Sequence, residues 1–256
     1  APEKQSPVRV ELHLTTEQQA ATRAMDENCI RDVNLYLYGD TEYHFYFPSV
    51  SSPLVFNVLP GNYRSYAIAN AGQDLGDKNA FKIQFYETAV DVMESSDAIP
   101  MTDRGTLAVD GAGRCTPSSL RVTRSAAKIA YTIEVADAVA PSLRLRSVQF
   151  CNLPLTIRPF DSGSISSTVE ANYYDGEAMP VGNERRTAGT AYLFENLQGS
   201  VDTITDQKDK CPENAPACAT YLRILAERSA DKALVEYIVY PGENNTSDFN
   251  VRRNTW

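Results

Sequence analysis

The amino end of the chain alternates. In Val8-Arg9-Val10-Glu11-Leu12-His13-Leu14, Val8, Val10, Leu12 and Leu14 fall on one side at period two and the polar residues on the other, which predicts a half-buried strand. A second alternation sets Val33, Leu35 and Leu37 against Asn34, Tyr36 and Tyr38 and closes at Gly39-Asp40. Runs over 42–47, 53–59 and 62–69 continue the series of short strands, punctuated by Pro48, Pro53 and Pro60-Gly61. The period changes over 79–94, where Phe85, Ala89 and Val92 share a helical face, so a short helix is expected there. Residues 110–119 are rich in turn formers without an apolar period and read as the junction between two domains, 1–118 and 119–256.

The second half resumes the alternation. Residues 120–135 read as one strand, with Ile129, Tyr131, Ile133 and Val135 opposing Lys128, Ala130, Thr132 and Glu134. Further strands are expected over 143–152, 190–194, 219–226 and 233–240, with surface loops over 161–189. A turn over 241–248 leads into a strand that opens at Phe249 and stops in mid-pattern, as expected if residues had been removed beyond it. Short strands at this spacing with few helices predict an all-β protein of antiparallel sandwiches with one or two short helices.

Between the first two strands the residues from Thr15 to Met25 are polar, small and without period, an exposed connection in which Arg23 is a candidate trypsin-type cleavage point. Burying Val8, Val10, Leu12 and Leu14 would hold the first strand by roughly 6–12 kcal/mol, at about 1.5–3 each, before ordering entropy is subtracted. The strand also stays because it is tethered, and a cut would leave its groove open to another chain's strand. The plainer reading is an ordinary surface loop, Arg23 being one of 24 Lys+Arg.

Composition narrows the function classes. With Asp+Glu 33 against Lys+Arg 24 and a net charge of −9, neither nucleic acid nor an anionic membrane surface is an expected partner. No apolar run reaches the roughly 18 residues of a membrane-spanning helix. The start at Ala1 without Met suits either removal of an export signal or a recombinant start. Of five cysteines, Cys211 and Cys218 lie close in a Pro-rich turn and are the candidate disulfide if the compartment is oxidising. There is no Cys-x-x-Cys, and the two histidines, His13 and His44, fall at outward strand positions, so no metal site or cofactor is expected. No nucleophile elbow, phosphate-binding loop or His-Glu-x-x-His occurs, and the chain does not read as an enzyme. Asp26-Glu27 and the pair Asp74 and Asp77 read as turn and capping residues. Tyr36, Tyr38, Tyr43, Phe45, Tyr46 and Phe47 could stack on a sugar, though ordinary sheet packing explains them more simply.

Several strings carry a resemblance. Tyr240-Pro-Gly-Glu-Asn-Asn-Thr-Ser-Asp-Phe-Asn-Val-Arg-Arg-Asn-Thr-Trp256 is similar to the C-terminal ending of the Bacteroidales type V fimbrillins. Glu27-Asn-Cys-Ile-Arg-Asp-Val-Asn-Leu-Tyr-Leu37, Leu59-Pro-Gly-Asn-Tyr63, Leu120-Arg-Val-Thr-Arg-Ser-Ala-Ala-Lys-Ile129 and Ala191-Tyr-Leu-Phe-Glu-Asn-Leu-Gln-Gly199 fit the same family, in family order. The resemblance implies two transthyretin-like β-sandwich domains, export to the cell surface as an outer-membrane lipoprotein precursor whose lipid anchor is its membrane contact, and assembly into a fimbria. It implies that an arginine-specific protease cuts between Arg23 and Ala24, that the first strand leaves, and that other fimbrial subunits fill the groove. A host or bacterial surface ligand would then be the further partner, and Asp202-Thr203-Ile204 resembles the O-glycosylation signal of this bacterial group. Two departures stand out: family members usually continue past the position of Trp256 with another strand, and Cys29 replaces a small residue. The rival reading is a surface glycan-binding lipoprotein that never polymerises; an enzyme comes third.

Overall fold

The structure is a computed structural model that describes residues 5–16, 28–77, 85–86, 99–160, 163 and 165–256. It is an all-β sandwich protein. The chain divides into two compact units, Ala1–Phe85 with Ser95–Ser125 and Arg158–Ser162, and Tyr86–Glu94 with Ala126–Ile157 and Gly163–Trp256.

In the first unit lie β1 (Val8–Thr16), β2 (Val33–Tyr38), β3 (Glu42–Phe47), β4 (Leu54–Val58) and β5 (Gly61–Ala69), then, past the short β6 (Phe85–Tyr86), β7 (Met101–Val109), β8 (Cys115–Thr116) and β9 (Ser119–Arg124). Hydrogen bonding runs in the order β3-β2-β5-β7-β9-β1-β4, with β8 on β7. The sheet closes over one core, to which Val33, Leu35 and Leu37 of β2, Leu107 and Val109 of β7, Leu54, Phe56 and Val58 of β4 and Leu120 and Val122 of β9 all contribute. Alternation explains the outcome in β4, where Leu54, Phe56 and Val58 are buried while Val55 and Asn57 face water. In β2 both faces are covered, because Gln73 O and Gly76 O accept hydrogen bonds from Asn34 and Tyr36 on the outer side.

The second unit contains β10 (Ala126–Glu134), β11 (Leu143–Cys151), β12 (Leu153–Pro154), β13 (Thr156–Ile157), β14 (Tyr173–Tyr174), β15 (Met179–Pro180), β16 (Arg186–Phe194), β17 (Tyr221–Arg228) and β18 (Leu234–Val239). A β10–β16 ribbon covers a sheet ordered β15-β11-β17-β18, and Phe150, Leu153, Leu193 and Ile224 belong to the core of this unit. The closing residues dock by a bridge between Asn196 and Val251 and by the bond from Lys128 N to Thr255 O, 2.9 Å.

Several sequence expectations are corrected. The single strand over 120–135 is two, broken at Ser125, whose buried N–H donates to Pro100 O at 2.8 Å. Leu120 and Val122 are 3% and 0% exposed in the first core, so the chain passes between units after β9. Residues 110–119, read as the junction, instead hold the turn from β7 into β8, β8 itself and the approach to β9, all inside the first unit. Of the helix expected over 79–94, only Phe85 and Tyr86 are described, and they are extended. The described helical turns are the 3-10 pieces Glu170–Asn172 and Gln207–Asp209. The strand expected from Phe249 is reduced to the single bridge at Val251.

Candidate functional site

The geometry that singles out one site is that of β1. Val10 and Leu12 are 0% exposed, and Val8 and Leu14 pack half-buried against the same core, while Arg9, Glu11 and His13 face outward. Thus the four apolar residues picked from the sequence line one face of one strand. That strand is internal to the sheet. Val8 to Leu12 pair antiparallel with β4, and His13 to Thr16 pair parallel with β9. The parallel pairing departs from the expected all-antiparallel order; it joins segments more than a hundred residues apart, as a parallel pair requires a long connection.

The second edge of the Val8 to Leu12 segment meets the turn between β7 and β8. A Cβ built on Gly113 would lie 2.1 Å from Arg9 O, so only glycine lets the turn approach β1 so closely, and its φ of +79° is one that glycine adopts freely. The turn is fixed by Asp110, whose carboxylate accepts Arg114 N at 2.9 Å, Ala112 N at 2.9 Å and Arg114 Nε at 2.7 Å. The Arg114 amide bond leads the causes that hold the Asp110 carboxyl below its ordinary value. Beyond the turn, the Cys115 thiol donates to Glu11 O at 3.3 Å, and His13 N donates to Ser118 O at 3.0 Å. Burial pushes the Cys115 thiol upward, which keeps it a neutral donor. Removing β1 would therefore leave a slot between β4 on one side and the Gly113 turn with β9 on the other, floored by the apolar core. Gly113 and Asp110 escaped the sequence reading, although Asp-Gly-Ala-Gly between two β-rich runs is itself a hairpin signal.

Other site residues fare differently. Arg23, Ala24, Asp26 and Glu27 lie outside the described residues. Cys211 and Cys218, the expected disulfide, are separate thiols. Cys218 is buried, whereas Cys211 sits half-exposed at the head of a turn where its carbonyl accepts Asn214 N and Ala215 N and its sulfur accepts Asn214 Nδ2 at 3.5 Å. His13 is exposed as expected, near Ser52 Oγ at 3.3 Å. His44 is not: its side chain is 9% exposed, stacked on Tyr36 at 4.5 Å and flanked by Asp74 and Asp77, each 3.7 Å away. Asp74 also accepts Gly76 N at 2.8 Å, the turn role expected of it. Tyr43, Phe45 and Phe47 face the core, so half of the aromatic cluster is sheet packing.

The second unit shows a different irregularity. Register places Val239, Tyr237 and Val235 of β18 beside Leu222, Ile224 and Ala226, the core side of β17. Yet Tyr237 and Val239 are 46% and 51% exposed, so the core-side face of β18 is uncovered. No metal-binding cluster exists among the described residues, and no described helix is long and apolar enough to cross a membrane.

The fold has counterparts among known proteins. The fold is similar to that of a candidate cell adhesion protein from Parabacteroides distasonis, at 10% identity and TM-score 0.62 over 98% of this chain and 90% of that one. It is similar to that of a candidate cell adhesion protein from Bacteroides eggerthii, at 12% identity and TM-score 0.59 over 93% and 79%. A candidate adhesin from Bacteroides ovatus follows at 11% identity and TM-score 0.51 over 91% and 82%. At these identities the likeness is one of fold. Residues 191–256 match a family model described as a domain of unknown function, DUF4906. No curated protein matches the sequence.

Proposed function

We propose that this chain is a structural subunit or tip adhesin of a bacterial surface fimbria, exported as a lipoprotein precursor and assembled by strand exchange. The observation that carries the reading is the seat of β1: an internal strand with two buried apolar side chains, bonded along both edges by segments distant in sequence. An arginine-specific protease cutting between Arg23 and Ala24 would convert β1 from a tethered strand into a separate peptide. Tethered, it faces its slot at an effective concentration of about 1 mM; against free peptide at about 1 μM the cut removes roughly a thousandfold advantage, about 4 kcal/mol. The emptied slot offers unpaired backbone on both sides and a floor for alternate apolar side chains, the two requirements for capturing a strand from another subunit. The resemblance of the sequence strings to type V fimbrillins and the likeness of fold to candidate cell adhesion proteins support the same reading.

The test is proteolysis followed by sizing. Treatment with an arginine-specific protease is expected to cut after Arg23, release a peptide containing Val8–Thr16 and produce oligomers on size exclusion. A chain that is cut there and remains a monomer holding its first strand would refute the proposal and favour a non-polymerising surface protein.

A further inference from the structure

The outer face of the β3-β2-β5-β7 layer carries a cleft of about 390 Å³, distinct from the β1 slot. Register builds it. Tyr38 lies opposite Glu42 on β3 and Arg64 on β5, and Arg64 lies opposite Thr106 on β7, so these side chains form one row on one face. The next row is Asn62, Ala108 and Thr116, and the small Ala108 between its polar neighbours leaves a depression. Further along the same face the sheet is covered: the Phe160 ring packs on Tyr66 at 5.1 Å, and Phe160 O accepts from Arg104 at 3.1 Å. The cleft is what remains open beside that cover.

Among the described residues, the cleft holds an arginine that lacks the ion pair most surface arginines make. Arg144, Arg146, Arg185, Arg228 and Arg252 each meet a carboxylate within 3.1 Å. Arg64 is exposed, and among the described residues it has no hydrogen-bond or ion-pair partner. An unpaired guanidinium on a protein of net charge −9 thus stands beside a half-exposed tyrosine ring and two threonine hydroxyls. We propose that this cleft binds an acidic sugar, a pyranose that carries a carboxylate. The guanidinium fork takes the carboxylate through two N–H donors, the planar geometry that lysine would not supply. Tyr38 offers a ring against the apolar C–H face of the sugar, and Thr106, Thr116 and Asn62 meet its hydroxyls. The volume lies in the range of small-ligand sites. The mouth is open, so affinity for a single sugar falls near the millimolar range, and useful adhesion comes from many copies side by side.

This inference goes beyond strand exchange and does not depend on it, so it is tested on the uncut chain. Glucuronic acid and N-acetylneuraminic acid are titrated against neutral glucose by saturation-transfer and chemical-shift NMR. At least one acidic sugar is expected to bind about tenfold more tightly than glucose, with transfer from tyrosine ring protons. Arg64→Gln, at an exposed position, is expected to keep the melting temperature within about 2 °C while reducing that preference to about twofold or less. Tyr38→Leu is expected to weaken acidic and neutral sugars alike. Equal affinity for acidic and neutral sugars, or an unchanged preference in Arg64→Gln, overturns the proposal. Failure here would leave the β1 mechanism standing, and a chain that never polymerises could still bind the sugar.

Discussion

Asp248 shows how one buried carboxylate can organise the carboxyl-terminal segment. It is 3% exposed, and burial alone would raise its pKa, but bonds from Glu243 N at 2.9 Å, from the amide and side chain of Asn250 and from Arg252 outweigh that cost and hold it below the ordinary value. A carboxylate depressed in the folded state stabilises fully above its unfolded pKa of about 3.9 and loses that contribution as pH falls through the folded value. Urea midpoints are therefore expected to drop as pH falls below about 4, and Asp248→Asn to be less stable at pH 7 but flatter across that acid range. Parallel pH profiles for the two proteins would contradict this. Asn196 has the same character without charge: fully buried, it donates to Cys218 O at 2.8 Å and Thr220 Oγ1 at 2.9 Å and accepts from Gln198 Nε2 at 2.9 Å. Neither residue was legible from the pattern of the chain. Polar letters read as outward-facing; the partners that make burial tolerable come from a local turn for Asp248 and from residues more than twenty positions away for Asn196.

At the scale of elements, alternation was the most readable signal and its partner segments the least. Val8, Val10, Leu12 and Leu14 stand out in the sequence because period two is a local property. That β1 binds β4 on one edge and β9 on the other, in opposite senses, depends on segments about fifty and a hundred residues away. The contribution of the Gly113 turn was hidden for the same reason. Gly113→Ala is expected to cost about 2–5 kcal/mol, combining a strained positive φ of about 1–2 with displacement of Arg9 of about 1–3. Hydrogen exchange should then accelerate at the amides of Val8–Thr16 while the β11–β17 ladder of the second unit keeps its protection. Unchanged exchange in β1 would mean that the turn does not brace the strand. The strand over 233–240 was also legible in outline, but the exposure of Tyr237 and Val239 was not, because it depends on what lies across the sandwich from β18 rather than on β18 itself.

For the whole molecule, composition and strand spacing led to the all-β sandwich class, and the fold is shared with candidate cell adhesion proteins at 10–12% identity. The passage between units was misplaced because turn-rich stretches occur both between domains and inside hairpins, whereas the burial of Leu120 and Val122 and the pairing of β9 with β7 and β1 assign β9 to the first unit. The proposed assembly and the proposed sugar cleft use separate parts of that unit, the sheet interior and its outer face. The account depends most on the slot's capacity to release β1 and accept an equivalent strand. The direct measurement cuts the chain after Arg23, adds an excess of isotopically labelled peptide spanning Val8–Thr16 and follows mass under native conditions. The account predicts that one labelled strand replaces one unlabelled strand per molecule, and that uncut chain takes up none. A cut chain that keeps its original strand and excludes the label after prolonged incubation would contradict it.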